Sequence, residues 1–263
     1  MLTTGPVVET HGAALGLADD FFSGLFDNMN ALSYGRDPIR NPLLFSVDRV
    51  AIGAPGTAVA AEAAPGLEDA AGDVFQANPP FFSNIKRIDE SALFLTGGFF
   101  GDDLNALDVD RRRPRGGFEF VYFSVDDLSF NGVHAPDVLI SPLPGGPFSV
   151  FADGIVDIGL LPGDDLDALV LADGGVIGEL DAGDRALFSI SAFSTSSIFL
   201  GGSWSPADVL FTDFSGSFSL FASAASIGLR VDDELDALDT IPEPTTLALL
   251  GLGMLGVWAR RRR

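Results

Sequence analysis

Cysteine is absent from all 263 residues, which removes any disulfide framework and any thiol chemistry. Basic charge is scarce: Lys86 is the one lysine, and 15 lysines and arginines face 37 aspartates and glutamates, leaving a net charge of -22. Such acidity repels a phosphate backbone and sets aside nucleic acid as a partner. Without Arg260, Arg261, Arg262, Arg263 and Glu243 the imbalance grows, with 11 basic residues against 36 acidic ones. Histidine is limited to His11 and His134, far apart in sequence, so neither a histidine-rich metal centre nor a base-activated nucleophile is written locally. No Gly-x-Ser-x-Gly elbow occurs. These shortages favour a non-enzymatic protein. The chain is nevertheless long enough to bury a core without covalent staples.

Long helical periodicity is also missing from most of the chain. In its place stand short runs rich in Phe, Val, Ile and Ser, separated by Gly, Pro and Asp, which is the pattern of strands and turns. The runs repeat. Gly163-Asp164-Asp165-Leu166-Asp167-Ala168-Leu169 recurs as Gly101-Asp102-Asp103-Leu104-Asn105-Ala106-Leu107, as Asp233-Glu234-Leu235-Asp236-Ala237-Leu238, and more weakly as Asp27-Asn28-Met29-Asn30-Ala31-Leu32. Two further pieces accompany it: Phe45-Ser46-Val47, Phe123-Ser124-Val125 and Phe188-Ser189-Ile190, then Asp73-Val74-Phe75, Asp137-Val138-Leu139 and Asp208-Val209-Leu210. Phe148-Ser149-Val150-Phe151-Ala152 matches Phe218-Ser219-Leu220-Phe221-Ala222.

The expected fold is therefore all-β, a repeat body of four-stranded units, propeller-like, with a sandwich or stacked sheets as the alternative. The units are placed at 35–110, 111–170 and 171–240, behind a partial unit at 1–34. An array that starts in mid-unit, without a basic and apolar leader, is expected to have further sequence upstream of Met1.

The repeated acidic doublets offer the main chemical candidate. Asp102 and Asp103, Asp164 and Asp165, and Asp232 and Asp233 could hold calcium, which takes six to eight oxygen ligands. Their spacing is not that of an EF-hand loop. The competing reading is that each doublet lies in a turn and binds neighbouring backbone amides. Arg111, Arg112, Arg113 and Arg115 form the one basic patch of the body, expected as a solvated loop, and the many phenylalanines are expected in the core.

The last residues differ from everything before them. Pro242-Glu243-Pro244 breaks the chain, residues 245–259 carry no charge, and four arginines end it. At about 1.5 Å per residue the apolar run reaches about 22 Å, short of a ~30 Å hydrocarbon core, and Trp258 and the snorkelling arginines extend it. Arginines at that end place it in the cytoplasm and the body outside. Gly251-Leu252-Gly253-Met254-Leu255-Gly256 fits a dinucleotide fingerprint only by spacing, because no strand precedes it and no ordinary helix follows.

This tail resembles the PEP-CTERM sorting signal of Gram-negative bacteria. The resemblance implies that an exosortase, an integral-membrane protease, recognises Pro242, Glu243 and Pro244. It also implies that 245–259 is a transient inner-membrane anchor and that Arg260, Arg261, Arg262 and Arg263 are its stop. It covers under a tenth of the chain and assigns the Asp-rich body no activity. The expected protein is thus exported to the cell surface or extracellular matrix, in a structural or interaction role, with extracellular polysaccharide as a possible associate. The alternatives are a calcium- or glycan-binding module and, third, a surface hydrolase.

Overall fold

The computed structural model describes residues 12–20, 25–33, 43–78, 83–98, 100–110, 120–126 and 134–239. His11, the arginines at 111–113 and 115, and the whole tail at 240–263, with its expected membrane helix, lie outside the described residues. Among those described, no helix is long and apolar enough to cross a membrane.

A two-stranded hairpin, β1 (Asp19–Asp20) with β2 (Leu25–Phe26), precedes three antiparallel four-stranded sheets. The first sheet holds β3 (Ala31–Ser33), β4 (Leu43–Ser46), β5 (Val74–Ala77) and β6 (Asn84–Ile88), with helix α1 (Ala58–Glu62) inserted between β4 and β5. The second holds β7 (Leu104–Asp110), β8 (Phe120–Val125), β9 (Val138–Pro142) and β10 (Ser149–Ala152). The third holds β11 (Leu166–Ala172), β12 (Arg185–Ile190), β13 (Val209–Thr212) and β14 (Phe218–Ala222), and the short α2 (Ala224–Ile227) follows it.

Each sheet is a simple meander, in which strands consecutive in sequence are neighbours in space. The three form neither a closed barrel nor a closed propeller among the described residues. The phase of the sheets differs from the sequence units. β7, which the unit 35–110 puts last, opens the second sheet, and β11, at the end of 111–170, opens the third. The Asp-Asp-Leu motif thus begins a sheet.

First strands β3, β7 and β11 lie innermost and adjoin one another, without hydrogen-bonded pairing between them. The core fills the spaces between sheets. Ala31, Leu44, Val74 and Ile88 of the first sheet pack against Leu104, Leu107, Val109, Val121, Phe123 and Leu139 of the second. Tyr122, Val138, Ile140 and Phe151 of the second pack against Leu166, Leu169, Leu171, Phe188 and Leu210 of the third. Tyr122 meets Phe151 edge to face at 5.1 Å and donates its hydroxyl to Asp173 at 2.6 Å, which satisfies its one polar end. The other face of the first sheet is covered by Leu15, Leu17 and Val59. Phenylalanine is core at Phe45, Phe75, Phe123 and Phe188, as expected, but Phe100 and Phe193 are exposed.

Each repeated sequence piece has one structural task. The serine of Phe-Ser-Val/Ile joins neighbouring repeats: Ser46 Oγ donates to the Leu104 carbonyl at 2.8 Å, Ser124 Oγ to Leu166 at 2.7 Å, and Ser189 Oγ to Leu235 at 2.7 Å. The aspartate of the Asp-Val piece accepts from the amide that opens the helical turn after the fourth strand. Those bonds are Glu90 N to Asp73 Oδ1 at 2.8 Å, Gly154 N to Asp137 Oδ1 at 2.9 Å and Ala224 N to Asp208 Oδ1 at 2.9 Å. Each turn is closed the same way, by Leu95 N to the Glu90 carbonyl, Leu160 N to Gly154 and Leu229 N to Ala224, all at 2.9 Å. The bond from Leu17 N to Gly12 at 3.1 Å repeats this closure in front of the first sheet. Gly154 is required by space, since a Cβ there would lie 2.3 Å from the Pro136 carbonyl oxygen.

Candidate functional site

In the copies at 102–103 and 164–165 the two acids of the doublet take different partners. The first is consumed by its own turn. Asp164 accepts from Leu161 N, Ser196 N and Ser196 Oγ, each at 2.7 Å, and is fully buried. Asp102 accepts from Thr96 N and Asp233 from Arg230 N, both at 2.7 Å. Asp27 of the weak copy accepts from Ala18 N, Ile52 N and Gly53 N. Asp232 pairs at the surface with the Arg230 guanidinium. Of the six aspartates expected as calcium ligands, Asp102, Asp164, Asp232 and Asp233 are engaged in their own turns, and only Asp103 and Asp165 bond neighbouring inner strands.

There the second acid of one copy meets the fourth position of the copy before it. In β7 and β11 that fourth position is a bulge: Leu104 pairs with Val125 and Ala106 with Ser124, so Asn105 has no partner, and Asp167 is skipped likewise between Leu166 and Ala168. A bulge re-aims a side chain. Asn30 Nδ2 donates to Asp103 Oδ1 at 3.1 Å, Asn105 Nδ2 to Asp165 Oδ2 at 3.0 Å, and Asn28 Nδ2 to Asp236 Oδ2 at 2.9 Å. The last bond links the fourth copy, which forms no strand, to the first.

Between these joints, where the inner strands start, is a mouth of about 260 Å³ lined by Asn28, Asn105, Asp165, Asp167, Glu234 and Asp236 among others. Burial pushes Asp103 up to about 7, helped by Asp126 and Asp48 and opposed by Arg49 and Asn30. Asp48 rises to about 6, again chiefly by burial, with Asp27 and Asp236 adding to it. Asp167 is raised well above the ordinary carboxylate range by burial, then by Asp236, Glu234, Asp165 and Asp103. Arg49 serves one side of the mouth, bonded to Asp126 and to the Gly101 carbonyl.

A second acidic group, absent from the sequence-level candidates, surrounds Lys86. Asp73, Asp89 and Glu90 bring oxygen atoms within 4.8 Å of one another, but the Lys86 ammonium occupies the place, 2.9 Å from Glu62, 2.5 Å from Asp89 and 3.6 Å from Asp73. Asp73 is raised by burial and by Glu90 beside it. These residues are distant in sequence except 86–90, so no local spacing announces them. A cleft of about 420 Å³ on the third sheet is lined by Trp204, Phe218, Leu200, Thr195, Ser196 and Ser203, with the two aromatic rings 5.6 Å apart. Its parts come from the loops at 159–161 and 195–204 and from the start of β14, and left no motif in the sequence. His134 is exposed.

Residues 240–263 match the family model of the PEP-CTERM protein-sorting motif. The chain therefore carries a sorting signal of the exosortase system, which indicates processing by that membrane protease and export to the cell surface. No curated protein matches the chain.

Proposed function

We propose that the protein is a non-enzymatic component of the cell surface or extracellular matrix, released from a transient inner-membrane anchor near Pro242, Glu243 and Pro244. The sorting motif at 240–263 carries this reading. The body supports it in kind. Its aspartates serve turns and joints, so the acidity that looks chemically active in the sequence has an architectural use, and the surface left over is strongly anionic and soluble. The three sheets with adjoining inner strands are read as a propeller-like array in which the fourth copy supplies an inner strand position without its sheet. Extracellular polysaccharide is the associate that fits such a compartment.

Fractionation of cells with and without a functional exosortase tests the reading. A tagged chain is expected as a trimmed form at the surface in the first and as a full-length inner-membrane form in the second. Replacing Pro242, Glu243 and Pro244 by alanine is expected to reproduce the second pattern. A tagged chain found untrimmed in the cytosol of exosortase-positive cells overturns it.

One observation favours glycan binding as a second reading. The Trp204–Phe218 cleft combines an aromatic face with the hydroxyls of Thr195, Ser196 and Ser203, the mixture of apolar wall and few polar groups that small ligands use. Binding on a glycan array, lost in Trp204→Ala with the fold intact, is the outcome that supports it.

A further inference from the structure

The joints around the mouth differ at one place. Three of them set an amide donor against a carboxylate: Asn30 with Asp103, Asn105 with Asp165, and Asn28 with Asp236. By the same repeat positions the remaining joint sets Asp167 against Glu234, and both line the mouth. Two acceptors cannot bond each other as carboxylates. Glu234 Oε1 takes the Ala192 amide at 2.7 Å, whereas Asp167 Oδ2 is shielded from solvent and has no hydrogen-bond partner. A solvent-shielded, unpartnered carboxylate oxygen on a residue that lines an acidic cavity marks a missing positive group.

We infer that the mouth binds a divalent cation, calcium in size and chemistry, between Asp167 and Glu234, with Asp165 and Asp236 next to it. The ion takes the place that the Asn amide holds at the other joints. Among the described residues only the Lys86 cluster brings three ligand atoms within 4.8 Å. At the mouth the ion therefore takes fewer than three carboxylates directly and completes its six to eight oxygens with water, which suits the 10⁻⁴–10⁻³ M affinity range of extracellular calcium modules. Arg49 neutralises Asp126 on one side of the mouth, and no basic residue is among those lining the side of Asp167 and Glu234.

The site has a structural consequence. Residues 232–239 lead directly into the sorting motif at 240–263 and are held to the body by Ser189, Asn28 and the loop at Pro206. A cation between Asp167 of β11 and Glu234 fastens this segment to the third sheet.

Calcium titration of the purified full-length chain in detergent, followed by calorimetry and by melting temperature in EDTA against millimolar calcium, tests the inference. The wild type is expected to bind calcium with heat and to melt higher in its presence. Asp167→Asn restores the amide found at the other joints. It is expected to lose at least tenfold in calcium affinity and to melt in EDTA no lower than the wild type. Should that variant not fold, Glu234→Gln is expected to show the same loss. Limited proteolysis near 232–239 is expected to slow with calcium in the wild type alone. Absence of a calcium response overturns the site, and so does an equal response in the variants. A wild type that is stabilised only by falling pH, with calcium inert, also overturns it, because a proton then fills the joint. None of these readouts depends on exosortase, so failure here leaves the surface assignment standing.

Discussion

Asp164 and Asp165 are neighbours in sequence and opposites in environment. Asp164 is sealed into its turn by three hydrogen bonds, and every donor in that cage points at its carboxyl oxygens. Across the peptide bond, Asp165 enters a mouth where Asp167, Glu234 and Asp236 crowd together and donors are few. The contrast recurs at Asp102 and Asp103: the first accepts the Thr96 amide, and the second is pushed up to about 7. Two adjacent aspartates therefore divide the work, the outer one shaping the chain and the inner one charging the place where repeats meet.

The largest test of that division is Asp164→Ala. It strands the buried donors of Leu161 and Ser196, and a loss of about 3–5 kcal/mol in urea unfolding is expected. A loss below about 1 kcal/mol breaks the comparison. The buried acids beside the mouth behave inversely with pH. Asp103 and Asp48 hold protons in the folded protein, up to about 7 and about 6, that the unfolded chain has already released near 4. Folding stability from these groups is therefore present at low pH and is lost as pH rises from about 4 to about 7, on the order of 4 kcal/mol for the buried Asp103. Unfolding curves at about pH 4.5 and 7.5 measure it, and Asp103→Asn is expected to flatten the difference.

Smaller again is Ser124→Ala, which leaves the Leu166 carbonyl without its donor across the sheet joint, at a cost of about 1–2 kcal/mol. The same change at Ser189 is expected to free the segment around Leu235 and to raise its cleavage by protease more than it lowers global stability, because no strand holds that copy. Smallest is Arg230→Ala. Its pair with Asp232 is exposed, and a change within ~0.5 kcal/mol is expected. A larger effect there extends the structural role of the doublets to the surface.

Much of this architecture was legible as repetition. The Phe-Ser-Val and Asp-Val pieces mark second and third strands because Ser and Asp at fixed places among apolar residues satisfy the same backbone groups in each sheet. The phase was not legible. A motif between two strand runs reads equally as the end of one unit or the start of the next, and only the pairing of Leu104 with Val125 and Leu166 with Ile190 places it at the start. Bulges at Asn105 and Asp167 were equally hidden, since an extra residue in a strand leaves no compositional trace.

Residue content alone determined an all-β acidic repeat and a sorting tail, because strand periodicity, charge and a short PEP motif are local properties. Tertiary structure decided which carboxylates are spent on backbone amides and which converge. That outcome depends on residues as distant as Asn28 and Asp236 arriving at one mouth, and no local spacing encodes the meeting of inner strands from separate sheets.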